Sequence, residues 1–199
     1  VRLAHVYPAR HFRQEFLCEF LEGEGVIFRN VKDIATAVVK PPEIGRYYTI
    51  GADLGRLRDY TVLSVFDRQT LEQVYQERFK TIEWPFQKKR ISALSSLYNK
   101  APVNMDATGI GDPIVNDLAR AEVPINPIRL TNQSKKELIE KLSIFIEQGR
   151  IKILPLPETI NEFEGYTYEI LSTGRIKYTA PSGLHDDIVM SHALACWDL

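Results

Sequence analysis

Two cysteines among 199 residues, Cys18 and Cys196, stand far apart and outside any CxxC or Cys/His cluster. Neither a disulfide framework nor a zinc site has residues to build on, and two free thiols are expected. Long apolar runs are missing: no stretch of about 18 uncharged apolar residues exists, which excludes a membrane-spanning helix. Arg10, Arg13, Glu15, Glu19 and Glu22 interrupt every apolar run of the first 25 residues, so no signal-peptide h-region is expected in them. No GxxxxGKS/T loop and no GxGxxG after a strand occurs, so the common nucleotide-phosphate cradles are absent. No Ser-His-Asp arrangement is signalled. Nor does one sign of charge dominate, since 25 Lys and Arg against 26 Asp and Glu give a formal net charge of -1. That parity excludes a generic basic coat for nucleic acid, and any nucleic-acid role must rest on local charge.

What is present is a globular composition, 44% hydrophobic and 26% charged, in a length that suits one domain or slightly more. Val1 rather than Met opens the chain, and a piece of a longer protein is expected. Residues 1–45 read as a linker or docking segment from an upstream domain. Within it, Phe12, Phe16 and Phe20, with Leu17 and Leu21, recur at helical spacing, Gly23 and Gly25 follow, and Pro41-Pro42 punctuates the chain. Residues 46–199 read as one α/β domain.

Three strand patterns come first, over 47–52, 61–66 and 71–79, joined by short loops that suit an antiparallel meander. Helix and strand then alternate. Helices are expected from Pro85 to Tyr98, from an Asp112-Pro113 start through Ala121, from a Ser134/Glu137 capping box to Gly149, and from Asp187 to Trp197. Strands are expected at 103–105, 125–128, 151–153, 166–171 and 175–178. The sum is a mixed sheet with helices on its faces.

Asp residues recur at the ends of these elements. Asp53 closes the first strand in Ile50-Gly51-Ala52-Asp53-Leu54-Gly55. Asp106 closes the fourth in Val103-Asn104-Met105-Asp106-Ala107-Thr108-Gly109, and Asp186 and Asp187 open the last helix. If the first and fourth strands are neighbours, Asp53 and Asp106 project near one another and the last helix can bring Asp187 beside them. Converging carboxylates repel and raise one another's pKa unless cations share the site. Hard divalent cations relieve that, and two of them about 4 Å apart can serve phosphodiester hydrolysis. Each Asp also has an ordinary reading: Asp186 or Asp187 as a helix N-cap, Asp53 and Asp106 as turn residues, Asp112 as an N-cap, and Asp59 as a turn residue or a partner for arginine.

Taken in order, Ile50 to Gly55 with Asp59-Tyr60-Thr61, Met105 to Gly111, and Gly183-Leu184-His185-Asp186-Asp187 resemble the nuclease domain of tailed-phage large terminase subunits. Arg13 to Phe28 resembles the segment that joins their ATPase and nuclease domains, so the resemblance covers nearly the whole chain. It implies an RNase H-like fold, close to RuvC-type resolvases: three antiparallel strands, then βαβ units, with helices on both faces. It also implies a Mg²⁺- or Mn²⁺-dependent endonuclease, with two ions, that cuts concatemeric viral DNA during packaging. Asp53 matches the first metal ligand, Asp106 the second and Asp187 the third, with the adjacent Asp186 as a further candidate. His185 either contacts the scissile phosphate or simply packs, and His192 is a core or surface histidine. Implied partners are double-stranded DNA, an upstream ATPase domain, a portal and a small terminase subunit, in the host cytoplasm and away from any membrane. No phosphate-binding loop is present, so this piece is expected neither to bind nor to hydrolyse ATP.

DNA tracking needs local cations. Arg56 and Arg58 follow Asp53 in sequence, and Lys177, with Arg175, precedes the final motif. Lys88-Lys89-Arg90 and Arg129 with Lys135-Lys136 form further basic clusters; each cluster could equally be solvated surface. A Holliday-junction resolvase of related fold and a non-catalytic DNA- or portal-docking module are the alternatives.

Overall fold

Strand β2 (Tyr48–Asp53) pairs with β3 (Thr61–Asp67), and β3 with β4 (Gln73–Phe79), all antiparallel. The computed structural model describes residues 24–55, 59–80, 82–108, 111–170, 176–179 and 185–199. After helix α2 (Trp84–Leu97), β5 (Val103–Asp106) adds to the other side of β2 in parallel. Helix α3 (Gly111–Arg120) then leads to β6 (Ile125–Ile128), parallel to β5. The strand order is therefore β4-β3-β2-β5-β6. Strand β3 is buried along its whole length, the mark of a sheet covered on both faces.

Period-two alternation sorts the strand residues between two cores. Tyr48, Ile50, Ala52, Leu63, Val65, Val103 and Met105 face α2 and α3. On the opposite face, Val62 and Phe66 pack against α4 (Asn132–Glu147), α5 (Pro157–Gly165) and α6 (Asp187–Ala195). Helix α4 contributes Leu138, Leu142, Phe145 and Ile146, at the expected spacing. The mixed sheet with helices on both faces is as expected.

The segment before β2 packs into this second core. Strand β1 (Glu24–Val26) joins β7 (Thr167–Ile170) and β8 (Ile176–Thr179) in a separate antiparallel sheet. Beyond it, Phe28 lies against Phe163 and Tyr166, and Val31 and Ile34 of the short helix α1 (Val31–Ile34) are buried. The helix expected around Phe12 to Leu21 lies outside the described residues, as does Cys18.

Several local expectations need correction. Helix α4 begins three residues early, because Thr131 and Ser134 form its reciprocal capping box and Ser134 therefore stands at its third position. Asp112 and Pro113 lie within the first turn of α3 rather than ahead of it. Residues 151–153 form no strand among the described residues; a single bridge joins Lys152 to Glu72. Their carbonyl and amide groups instead bond to Gln73, Leu71, Ile34 and Ala37, which ties several elements together without a ladder. Helix α5 has no counterpart among the expected elements. The last helix ends at Ala195 and tightens into a 3-10 turn over Cys196–Asp198. Cys196 is a free, buried thiol, and burial pushes its pKa up to about 12. Among the described residues no helix is long and apolar enough to cross a membrane.

Candidate metal centre

The parallel pairing of β2 with β5 sets Ala52 opposite Met105, so Asp53 and Asp106 are the next residues at the carboxyl ends of adjacent strands. Alternation turns both toward the face that α6 covers, the face of Gly51 and Asn104. Gly51 permits the approach: a Cβ there would stand 1.9 Å from the Ser191 carbonyl oxygen. Three bonds fasten α6 to the sheet. Ser191 Oγ donates to the Gly51 carbonyl at 2.9 Å, Asn104 Nδ2 donates to the Leu194 carbonyl at 2.9 Å, and Ser191 Oγ meets Ser64 Oγ at 2.9 Å.

With α6 fixed there, its first residue, Asp187, comes into the field of Asp53. Burial, first, and then the charges of Asp187 and Asp186 hold the Asp53 carboxyl well above the usual carboxylate range; Lys135 opposes them and Asp106 adds to them. The Asp187 carboxyl is likewise raised by burial, partly offset by His185 and by a backbone hydrogen bond from Tyr60. Its Oδ2 is buried without a hydrogen-bond partner among the described residues. His185 Nδ1 approaches that oxygen to 3.6 Å, and its ring packs edge-on against Tyr60.

The four carboxylates are not equivalent. Asp186 is paired with Lys135 of α4 at 2.9 Å. Asp106 Oδ1 accepts from the Thr108 amide at 2.8 Å and the Leu130 amide at 3.4 Å. Among the described residues, accordingly, no three His, Cys, Asp or Glu side chains form a ready-made metal cage. What remains, among the described residues, is an Asp53 carboxyl crowded by like charge and the unpartnered Asp187 oxygen. A hard divalent cation fits that donor set, because it supplies the positive charge that desolvated oxygens lack.

Asp186 occupies the N-cap position of α6 but makes no side-chain cap bond. That role falls to Glu162 of α5, whose Oε1 accepts from the amides of Ile188 at 2.6 Å and Val189 at 2.9 Å. Burial pushes the Glu162 carboxyl up to about 7, against the two backbone bonds. Sequence reasoning misses Glu162; Pro157 at the first turn of α5 is the one local signal that a helix starts there.

His192 is a core residue. Its Nδ1 lies 2.8 Å from the Ile188 carbonyl, which can only accept, so Nδ1 carries the proton; Ser64 Oγ lies 3.2 Å away. Nε2 is buried and has no partner among the described residues, and burial pulls the ring's pKa down to about 4. An unfolded histidine takes up its proton near 6.5, before the folded one can, so this residue's contribution is intact above that pH and is lost as pH falls toward 4. The loss amounts to about 3 kcal/mol at full extent. Urea denaturation of the parent and His192→Phe between pH 7 and 4.5 should show the parent losing its stability relative to the variant as pH falls; parallel pH profiles would contradict this.

Of the expected DNA contacts, Arg56 and Arg58 lie outside the described residues. Lys177 pairs through its backbone with Glu169 in the β7–β8 ladder, and its side chain lies outside what is described. Lys88 is paired with Asp117 and Arg90 with Glu77. Asp59 is exposed, and its charge reaches Asp187. Beside the site, the Arg78 guanidinium lies 3.6 Å over the Tyr60 ring, with Lys80 at 4.8 Å from the same ring.

Comparison with known proteins agrees with this fold. The family model for the terminase RNaseH-like domain matches residues 50–195. The large terminase subunit of Thermus virus P23-45 is 32% identical over 198 residues, covering 94% of this chain and 41% of that protein; the large subunit of Thermus phage G20c matches to the same extent. The chain thus spans less than half the length of these relatives. Among solved structures, the large terminase nuclease of thermophilic phage G20c with bound magnesium superposes with a TM-score of 0.80 at 29% identity, covering 86% of this chain and 96% of that one. The Thermus phage P74-26 large terminase nuclease domain gives 0.79 at 28% identity, over 86% and 94%. With an RNase H-like sheet, acidic residues at the expected strand and helix ends, and a family match over most of its length, this chain belongs to the terminase RNase H-like domain family.

Proposed function

We propose that this chain is the nuclease portion of a viral DNA-packaging motor, an endonuclease that hydrolyses phosphodiester bonds of concatemeric double-stranded DNA with divalent magnesium or manganese. The observation that carries the reading is the half-buried Asp53 set in the field of the buried Asp187, with Asp106 at the neighbouring strand end. Relatives solved with magnesium and with cobalt support it. Asp53, Asp106 and Asp187 would hold the two ions, with Asp186 as a further candidate. When bound, divalent cations supply Lewis acidity: they acidify the attacking water and offset charge that builds on the phosphate.

The chain's own residues hold that constellation. Gly51 and Asn104 seat α6 on the sheet, Tyr60 orients Asp187, and Lys135 balances Asp186. His185, exposed beside Asp187, would meet a phosphate oxygen. Arg56, Arg58 and Lys177 are proposed to hold the duplex by its backbone. Residues 1–45 would lead to an upstream ATPase domain, with the portal and the small terminase subunit as partners in the host cytoplasm. Net charge near zero fits a fragment that grips DNA weakly by itself and relies on those partners.

The test is incubation with supercoiled plasmid and Mn²⁺, with and without chelator, beside Asp53→Asn and Asp106→Asn. Cleavage by the parent alone, abolished by chelator, is the expected result. Cleavage that survives both substitutions would sink the metal-site assignment. Four-way junctions cut far faster than duplex would favour a resolvase, and DNA binding without cleavage would favour a docking module.

A further inference from the structure

We propose that Glu162 is a positioning residue for the metal centre, setting the orientation of Asp187 by holding the first turn of α6. The inference rests on the reading of Asp187 as a metal ligand.

Asp187 is the first residue of α6, and its side-chain direction follows from how that turn is anchored. The residue at the cap position, Asp186, is drawn off to Lys135 and leaves the helix's leading amides without a local partner. Those amides, on Ile188 and Val189, belong to fully buried residues, so they must find an acceptor within the protein. Glu162 supplies it with a single oxygen that takes both, from a helix 26 residues earlier in the chain. Arg78 faces Glu162 from β4, and the same guanidinium stacks on Tyr60, whose amide bonds to Asp187. Glu162 and Tyr60 thus both bear on the first turn of α6, and Arg78 stacks on Tyr60 while its charge reaches Glu162.

This arrangement also decides what the helix start does not do. Leading amides of a helix are a common cradle for phosphate oxygens. Here a carboxylate already occupies them, so the scissile phosphate is not held by the amino end of α6.

Two near-isosteric variants separate geometry from charge. Glu162→Gln keeps an acceptor oxygen at the same reach and removes the charge. Glu162→Asp keeps the charge and withdraws the oxygen by about one methylene. The readout is the dissociation constant for manganese chloride, measured by calorimetry on folded protein without DNA, with thermal unfolding recorded alongside. Partners that orient metal ligands are typically worth 10–100-fold in affinity. The expected result is Mn²⁺ binding weakened by about 10-fold or more in Glu162→Asp and near parental in Glu162→Gln. A purely structural cap would lower the melting temperature of Glu162→Asp and leave its Mn²⁺ affinity at the parental value, which would overturn the proposal. Weakening in Glu162→Gln with parental affinity in Glu162→Asp would overturn it too, by assigning the effect to charge. A parent that binds no Mn²⁺ would instead overturn the metal-centre reading beneath it.

Discussion

Asp53→Asn is expected to abolish cleavage and at the same time to make the metal-free protein more stable. The carboxyl is held well above the usual carboxylate range by burial and by three neighbouring carboxylates, with Lys135 in opposition. A carboxyl with a raised folded pKa titrates in the unfolded chain first. As pH climbs above about 4 the unfolded state loses its proton and gains advantage, and stability falls until the folded carboxyl also ionises. The amide of Asn has no proton to lose and escapes that penalty. Its advantage over the parent should therefore be small near pH 4, grow toward pH 8, and reach about 1–3 kcal/mol, the usual penalty for a buried polar group without adequate partners. Divalent metal reverses the order. At a concentration 100 times its dissociation constant it should stabilise the parent by about 2.7 kcal/mol and leave Asp53→Asn unchanged. Chemical denaturation at pH 4.5 and 8, with chelator and with Mn²⁺, checks all four corners. A variant less stable than the parent at pH 8 in chelator would mean that Asp53 is well satisfied within the protein. Loss of cleavage should be about 10²–10³-fold or more, as for other groups that stabilise transition-state charge.

Gly51→Ala should damage fold and site together. Its Cβ would meet the Ser191 carbonyl oxygen at 1.9 Å and the Ala195 nitrogen at 2.4 Å, both backbone atoms that no rotamer change can move. Helix α6 would have to lift from the sheet, stretching the bonds from Ser191 to Gly51 and from Asn104 to Leu194. Overpacking of this kind typically costs about 1–3 kcal/mol and can cost more. The helix carries Asp187, and a displacement of about 1 Å at a reacting centre can reduce rate by about 10²-fold. Gly149→Ala is the matched control. That glycine has φ +61° and nothing within 4 Å of where a Cβ would stand, so the substitution strains only its own backbone. It should lower stability by about 1 kcal/mol and leave cleavage at the parental rate. Equal losses of activity in the two variants would show that stability, not the seating of α6, governs the reaction.

The acidic positions are legible in the sequence for a physical reason. Asp53 and Asp106 each close a short apolar strand where a turn begins, and an Asp pair opening a final helix is a local signal as well. Their meeting depends on the first and fourth strands lying side by side, and the parallel β2–β5 pairing meets that condition. The α/β class follows from the switch between strand and helix periodicity. What escapes is information carried between distant segments. Glu162 is invisible locally because the amides it serves belong to another helix. Lys135 stands out in sequence only as one of several basic residues, and the packing of α4 beside α6 makes it the partner of Asp186. The start of α4 is ambiguous because Thr131/Ser134 and Ser134/Glu137 both fit the same spacing rule, and only the backbone chooses between them. Residues 151–153 alternate like a strand, yet their hydrogen bonds are split between two segments, residues 34–37 and 71–73.

The most direct test of the central claim is the location of bound Mn²⁺ by anomalous scattering from crystals of this chain. The account predicts manganese in contact with the carboxyl oxygens of Asp53, shared with Asp106 and Asp187, and none there in Asp53→Asn. Manganese bound elsewhere, or density at the same place in the variant, would contradict it.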